Sequence, residues 1–316
     1  MTGVNKMSFT TNMKEEITRK DINQIESLNE LSSFVRFAGQ IKKDKITLTM
    51  ENAAVARRIY KDIKNNFGIY IKIIIRIQKR FRVKQIYILE FSEKIETILE
   101  ALNIKHNGKV ILPSEELLDT DEEKISYLRG AFLATGSVND PTTGGYHLEF
   151  SSNLKKECIY ISNLLKDFNI ISKVIKRNNK YMTYVKTAEM ISDIIKMFGA
   201  TNSLFYYEDV RIYRDHKNMV NRLNNCEISN QEKVLKTGLK QLDDINYLKK
   251  YDLLGLLDES TREAIRYREY YPESSLTELA DIISKETGHT IGKSGVNHYF
   301  IKVKKLVEKH KNSNKN

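Results

Sequence analysis

Two stretches in the first two hundred residues pass through the same order of apolar and polar positions. Glu30–Gly39 reads ELSSFVRFAG and Tyr127–Gly136 reads YLRGAFLATG. Each predicts an apolar helix that stops at a glycine, a residue that readily takes the left-handed conformation after a helix. The first is followed by a short strand at Lys45–Met50 and a helix from about Asn52 to Asn66. A strand pair then falls at Ile69–Ile77 and Phe81–Phe91, before a helix from Ser92 to Leu102. The second is followed by Tyr146–Phe150, a helix from about Asn153 to Phe168, strands at Ile170–Arg177 and Tyr181–Val185, and a helix from Thr187 to Phe198. The second helix of each unit starts at an asparagine, a preferred N-cap. Each then runs into a related junction, Phe67-Gly68-Ile69 or Phe168-Asn169-Ile170. Asn178-Asn179 reads as a hairpin turn that tolerates positive φ. Self-similarity at about one hundred residues implies two α+β subdomains, with Glu115–Glu123 as an exposed acidic linker between them.

Beyond Tyr206 the period becomes helical. Tyr206–Leu248 predicts a polar connector and then a helix capped by Ser229-x-x-Glu232, with Leu235, Leu239, Leu242 and Ile245 in register. Its Arg and Asn residues (Arg211, Arg214, Asn218, Asn221, Arg222, Asn224, Asn225) suit phosphate contacts or, by slight preference, a hydrogen-bonded connector. From Leu254 the chain predicts a compact helical domain. Ser260-x-x-Glu263 opens one helix that stops at Pro272, and Ser275-x-x-Glu278 opens a second that ends at Gly288. A third begins near Ser294, with Val296, Phe300, Val303 and Val307 inward. Its outer face presents Ser294, His298, Ile301, Lys302 and Lys305, with Asn297 and Lys304 at the sides. An inner apolar stripe with an outer face of Asn, His and Lys suits insertion into a major groove. The second and third helices form a helix-turn-helix pattern over about Ser275 to Lys309. Its turn, His289–Lys293, is longer than in the simplest version.

Charge sharpens this picture. The chain of 316 residues carries a net charge of +11, unevenly placed. Ile41–Lys84 holds 13 Lys or Arg against Asp44, Glu51 and Asp62, and from Lys293 onward seven basic residues face Glu308 alone. Two basic blocks suggest two places for a polyanion. The first block includes Lys72, Arg76, Lys79, Arg80, Arg82 and Lys84 on the Ile69–Ile77 strand and its partner, as candidate phosphate contacts. Candidate DNA contacts in the second, within the Ser275 to Lys309 span, are Lys293, Ser294, Asn297, His298, Lys302 and Lys305. RNA is the less favoured polyanion, since no aromatic-rich RNA-binding sheet motif is present. No apolar run approaches the roughly 18 residues that span a bilayer, and no cofactor motif emerges. Gly292-Lys293-Ser294 lacks the upstream glycine of a phosphate loop, Thr287 standing in its place. Cys158 and Cys226 are isolated, which argues against a disulfide, a zinc site or a thiol nucleophile and for semi-buried small hydrophobes in a reducing cytoplasm.

The paired Glu30–Gly39 and Tyr127–Gly136 elements resemble the LAGLIDADG motif of homing endonucleases, in which two such helices pack at a pseudo-dyad and the strands form saddles along DNA. The chemistry of that family needs a carboxylate just before each motif glycine, to bind the metal ions that activate water. Here Ala38 precedes Gly39 and Thr135 precedes Gly136, and neither offers charge to a hard cation. Asp140 lies past the second helix and Glu30 at the start of the first. The expectation is a scaffold that binds no metal, cuts no DNA and is not an enzyme. Its small residues Ala38, Gly39, Gly130, Ala131, Ala134 and Gly136 would let the two helices approach closely.

Over nearly its whole length the chain resembles the WhiA family of bacterial regulators. The likeness rests on MSFTTNMKEEI near the start, ENAAVARRIY, YLRGAFLATGSVND, YEDVRIYRD, the VRIYRDHKNMVNRLNNCEISN connector and the closing IGKSGVNHYFIKVKKL. The resemblance implies an α+β protein with a two-repeat LAGLIDADG-like domain followed by an all-α helix-turn-helix domain. It also implies a cytoplasmic, nucleoid-associated protein acting in cell division and chromosome segregation, with sporulation transcription factors among its actinobacterial relatives. The expected organisation is a first repeat over 1–110, a second over 111–205, a helical connector over 206–250 and a helix-turn-helix domain over 251–316. The expected partner is double-stranded DNA, read by a transcriptional regulator. The alternatives are an architectural scaffold that takes a regulatory protein partner and binds DNA loosely, and a metal-dependent endonuclease.

Overall fold

The computed structural model describes residues 7–78, 84–106, 108–113 and 118–313. It divides into two compact units, 1–214 and 215–316. The first unit opens with a helix at Phe9–Ile17 (α1), which precedes the elements expected from the repeat. Phe9, Met13 and Ile17 recur at helical spacing and are all buried, and the Ser8 side chain accepts from the Thr11 amide to cap the helix. The first repeat follows: helix Gln24–Ala38 (α2), strands Gly39–Ile41 (β1) and Ile46–Met50 (β2), helix Ala53–Phe67 (α3), strands Lys72–Gln78 (β3) and Lys84–Phe91 (β4), and helix Ile95–Ala101 (α4). A small hairpin of Lys105–His106 (β5) and Lys109–Val110 (β6) separates it from the second repeat. That repeat comprises helix Asp121–Thr135 (α5), strands Ser137–Val138 (β7) and Leu148–Ser152 (β8), helix Lys155–Asp167 (α6), strands Lys173–Arg177 (β9) and Lys180–Val185 (β10), and helix Ala188–Met197 (α7).

The expected repeat is present in the strand order itself. The sheets run β1-β2-β4-β3 and β7-β8-β10-β9, with antiparallel neighbours throughout. The junction residues Gly68 and Asn169 both take positive φ (61° and 60°), and Ile69 and Ile170 after them are buried. Asn178 and Asn179 also take positive φ and close the β9–β10 hairpin. Asn52 caps α3 as expected, accepting from the Ala54 and Val55 amides. Asn153 does not cap α6. The residue before that helix is Leu154, whose amide donates to the Ser152 hydroxyl.

Two other expectations change. The acidic linker is already structured at its end: Leu118 is buried, Thr120 caps α5 with Glu123 in a reciprocal capping box, and Asp121–Glu123 form the first turn. Residues 114–117 lie outside the described residues. Gly39 and Gly136 are not left-handed; both are extended (φ −83° and −67°). Their lack of a side chain serves close approach instead, because an added Cβ would run into the Val35 carbonyl or into Phe132.

The core between the repeats is the α2–α5 pair. Gly130 faces the Glu30 carbonyl and the Ser33 hydroxyl so closely that a Cβ there would overlap both. Beside this contact Arg129, fully buried, donates from Nε to Glu30 at 2.9 Å, and Glu30 is itself 1% exposed. Arg58 reaches the other Glu30 oxygen at 3.4 Å and Asp62 at 2.9 Å. Burial pushes the Asp62 carboxyl up to about 6 despite that guanidinium. Such a network costs desolvation and is worth less as net stability than as a device that fixes one register. Apolar side chains enclose it, among them Leu31, Phe34, Leu128 and Phe132. α1 closes the unit: the Thr10 hydroxyl exchanges hydrogen bonds with the Val138 backbone at 2.8 and 2.9 Å.

The chain then enters one helix of 50 residues, Thr201–Lys250 (α8), with no break or cap at Ser229. Its start is capped by Glu16, which accepts from the Asn202 and Ser203 amides. Residues 215–233 are exposed on every side, Cys226 among them, whereas Cys158 is buried. The cysteine expectation therefore fails at Cys226. The unit division at Arg214 cuts through the expected connector. The second unit adds a short 3-10 turn at Leu254–Leu256 and helices Glu259–Tyr270 (α9), Leu276–Thr287 (α10) and Lys293–Ser313 (α11). Replacing Arg129 by Met leaves Glu30 buried without its main counter-ion and should cost about 3–5 kcal/mol, whereas Glu30→Met with Arg129→Met should recover most of the loss. Urea unfolding of the full chain measures both; an unchanged midpoint for the single variant would refute the role given to the ion pair.

Candidate nucleic-acid interface

In the second unit, α11 is held by its inner stripe. Val296, Phe300, Val303 and Val307 are buried with Leu279, Ala280 and Ile283 of α10, Ala264 and Ile265 of α9, and Ile245 and Leu248 at the end of α8. The capping box on α10 forms as read, with Ser275 and Glu278 exchanging bonds, and Gly288 ends the helix in the left-handed conformation at φ 74°. α9 starts two residues earlier than read. Asp258 is its cap, accepting from the Thr261 amide at 2.9 Å, so Ser260 lies inside the first turn. The turn before α11 is tied by the Ser284 hydroxyl, which accepts from the Ile291 amide at 2.9 Å and donates to its carbonyl at 3.2 Å. This lock sets where α11 begins. The helix-turn-helix span read to about Lys309 ends within α11. Lys309 is exposed and still helical, its carbonyl accepts from the Ser313 hydroxyl at 3.0 Å, and α11 continues to Ser313. The last apolar anchor of the inner stripe is Val307, and beyond it His310 carries the packing on, 3.1 Å from the Tyr247 hydroxyl and against the Tyr251 ring.

On α11, Lys293, Ser294, Asn297, His298 and Lys305 are exposed. Lys302 differs. It is half-buried, its ammonium 2.6 Å from Asp258 and 5.6 Å above the Tyr299 ring. The Lys302 bond, with the Thr261 hydroxyl and amide, holds the Asp258 carboxyl well below the usual range. One side chain thus serves as helix cap and as counter-ion to a candidate DNA contact. The pattern of outer and inner faces did not reveal this, because Asp258 lies 44 residues away in sequence.

In the first unit, Lys72 and Arg76 are exposed on β3. Their cross-strand partners are Glu90 and Ile86, and Ile74 lies between them on the same face. Lys79, Arg80 and Arg82 lie outside the described residues, as does the side chain of Lys84. The equivalent strands of the second sheet carry Lys173, Lys176, Arg177 and Lys180, all exposed, which the first basic block had overshadowed. The repeat itself was the signal that pointed to them.

The helix ends do not suit a metal. Ala38 has no donor, and the Thr135 hydroxyl accepts from the Ser151 amide at 3.3 Å. Glu30 belongs to the ion-paired core. Asp140 accepts from the Thr142 amide and hydroxyl and from the Tyr206 hydroxyl. A cavity of about 800 Å³ beside the end of α5 has Glu51, Asp140 and Lys14 in its lining. The Lys14 ammonium lies 5.5 Å from the Phe132 ring centre, and burial pushes it down to about 8, against the pull of Glu51. Among the described residues no three His, Cys, Asp or Glu side chains gather as a metal would need. Two arginines of the expected connector are structural: Arg214 donates to the Pro141, Thr143 and Gly144 carbonyls, and Arg211 pairs with Glu208.

Two pseudo-symmetric α+β repeats about a close helix pair, followed by a locked helix-turn-helix, define a LAGLIDADG-like protein with an appended helix-turn-helix. Family models agree along the chain: the WhiA N-terminal LAGLIDADG-like domain matches residues 24–105, the WhiA LAGLIDADG-like domain 124–217 and the WhiA C-terminal HTH domain 220–307. The chain belongs to the WhiA family. It is 37% identical over 309 residues to the probable cell division protein WhiA of Bacillus mycoides (strain KBAB4), covering 96% of this chain and 97% of that one. The same figures hold for the probable cell division protein WhiA of Bacillus cereus (strain G9842). The fold matches the crystal structure of full-length DUF199/WhiA from Thermatoga maritima with a TM-score of 0.57 at 23% identity, over 96% of this chain and 99% of the other. Asp258→Ala should lower the stability of the second unit by about 1 kcal/mol, the value of an N-cap, while Asp258→Asn keeps the cap and most of the stability. Thermal unfolding separates them; equal losses would assign the effect to the exposed ion pair instead.

Proposed function

We propose that this chain is a DNA-binding regulator acting in cell division and chromosome segregation, one that reads duplex DNA through α11 and does not cut it. The observation that carries the reading is α11 itself: a rigidly seated helix whose outward residues are Ser294, Asn297, His298 and Lys305, with Lys293 at its start. Asparagine matches the paired donor and acceptor of adenine, and lysine the acceptors of guanine. Lys302 joins them where its bond to Asp258 is exchanged for a base edge. Lys72 and Arg76 of β3 supply backbone contacts without sequence information. The helix-turn-helix module starts within α8, and the two LAGLIDADG-like repeats precede it. On this reading the protein works in the cytoplasm, on the nucleoid, as a regulator of promoters. The cell-division name of its relatives and the helix-turn-helix family match support the reading.

Absence of nuclease activity rests on Ala38 and Thr135 and on the engagement of Glu30 and Asp140 in other bonds. A second reading, a scaffold that takes a protein partner, is favoured by one feature. Ile73, Ile75 and Ile77 on the edge strand β3 are 52%, 57% and 57% exposed, an apolar row of the kind that partners cover.

Selection of bound duplexes from a random pool, followed by titration against competitor DNA, tests the regulator reading. Asn297→Ala and His298→Ala should each narrow discrimination by about 1–3 kcal/mol at their base positions. Equal binding of every sequence by the unaltered protein would leave the scaffold reading in place. Incubation with magnesium or manganese should leave the duplex intact. Cleavage that Asp140→Asn or Glu30→Gln abolishes would sink the non-nuclease reading.

A further inference from the structure

α11 has two flanks, and they differ in charge. On the side of α9, Lys302 is neutralised by Asp258. On the side of α8, the two helices border a groove of about 420 Å³ with Lys233, Lys236 and Lys240 on one wall, Asn297 and Lys304 on the other, and Phe300 in its lining. The three α8 lysines stand at i, i+3 and i+7, which puts them on one helical face. All three are exposed, and among the described residues none has an ion-pair partner. Lys304 has only Glu308, at 3.6 Å on the exposed surface. The acid inside the groove, Asp244, is partly buried; that burial pushes its carboxyl up, against the pull of Lys311, Lys240 and Lys304.

The wall is held in place by backbone packing. Gly238 sits between Lys236 and Lys240, and a Cβ there would stand 2.5 Å from the Pro272 carbonyl. Arg268, 1% exposed, fixes that carbonyl's loop by donating to Ser274 at 2.6 Å and to Tyr271 at 3.2 Å. α8 is therefore seated against the turn between α9 and α10, and its lysines keep a fixed place beside α11. Four ammonium groups here outnumber the nearby carboxylates, Asp244 and Glu308, and an extended polyanion relieves the excess.

We propose that this groove is a phosphate clamp, in which α8 grips the backbone of duplex DNA on the flank of α11 that bears Asn297 and Lys304. The inference rests on α11 as the DNA reader and adds where the backbone runs: along α8, and away from the neutralised Lys302 flank. It assigns affinity to α8 and discrimination to α11, since phosphate contacts carry no sequence information.

The test uses the full chain and a labelled mixed-sequence duplex, with the dissociation constant measured across a series of salt concentrations. Lys233→Gln, Lys236→Gln and Lys240→Gln together should weaken binding equally for every sequence. They should also reduce the slope of log affinity against log salt by about 2.7, at about 0.9 for each lost phosphate contact. Lys155→Gln, Lys156→Gln and Lys166→Gln on α6 remove the same charge and should leave most of the slope in place. The lysines are exposed, so unfolding temperatures should not move, and this is checked on both variants. A slope unchanged in the α8 variant, while the unaltered chain binds, overturns the clamp alone. Equal losses in both variants also overturn it, by assigning the effect to net charge. An unaltered chain that binds no duplex overturns the DNA reading itself.

Discussion

The close approach of α2 and α5 is the contact on which the first unit depends. At Gly130 the two backbones come nearer than any side chain allows, and Arg129 and Glu30 must then meet in the dry space beside it. Close packing of this kind is unforgiving of volume, and an ion pair without water is unforgiving of a missing partner. Together they admit one register of the two helices. Each repeat then hangs its sheet from its own helix, through Gly39 and Gly136, which turn directly into β1 and β7. The two sheets share a strand order because they share this anchor.

A helix pair of this form keeps a structural role whatever stands at its ends. The ends of α2 and α5 present a methyl group and a hydroxyl that is already hydrogen-bonded. Of the acids expected to be nearest, Glu30 has been drawn into the core and Asp140 into a turn. A half-buried lysine, Lys14, stands in the adjoining cavity. What remains is a rigid platform with basic strands, joined by α8 to a unit whose own geometry suits a major groove. On the proposed reading, recognition falls to the helix-turn-helix, where side-chain identity matters, and the platform contributes charge and an exposed strand edge.

The amino-acid pattern made much of this legible. Both repeats, their order of elements, the two positive-φ junctions and the inner stripe of α11 follow from apolar periodicity and from Gly and Asn placement. What escaped was set by partners distant in sequence. Asp258 looks like an ordinary residue before a helix until Lys302 folds against it. The absence of a cap at Ser229 reflects an uninterrupted α8, whose register carries through residues that read as a polar connector. The motif glycines suggested left-handed caps, yet their work is steric, which no local signal distinguishes. Lys233, Lys236 and Lys240 carry no signal of their own in the chain, because their setting comes from α11 across the groove. Cys226 is exposed for a related reason: it lies where α8 has no neighbour.

The account places recognition on the C-terminal unit and leaves the platform in support. Hydrogen–deuterium exchange of the full chain, with and without a saturating bound duplex, locates the contact directly. Protection is expected at the start of α11, in the turn before it and along the second half of α8. Protection confined to β3, β4, β9 and β10, with α11 and α8 unchanged, would contradict the account and return DNA binding to the sheets.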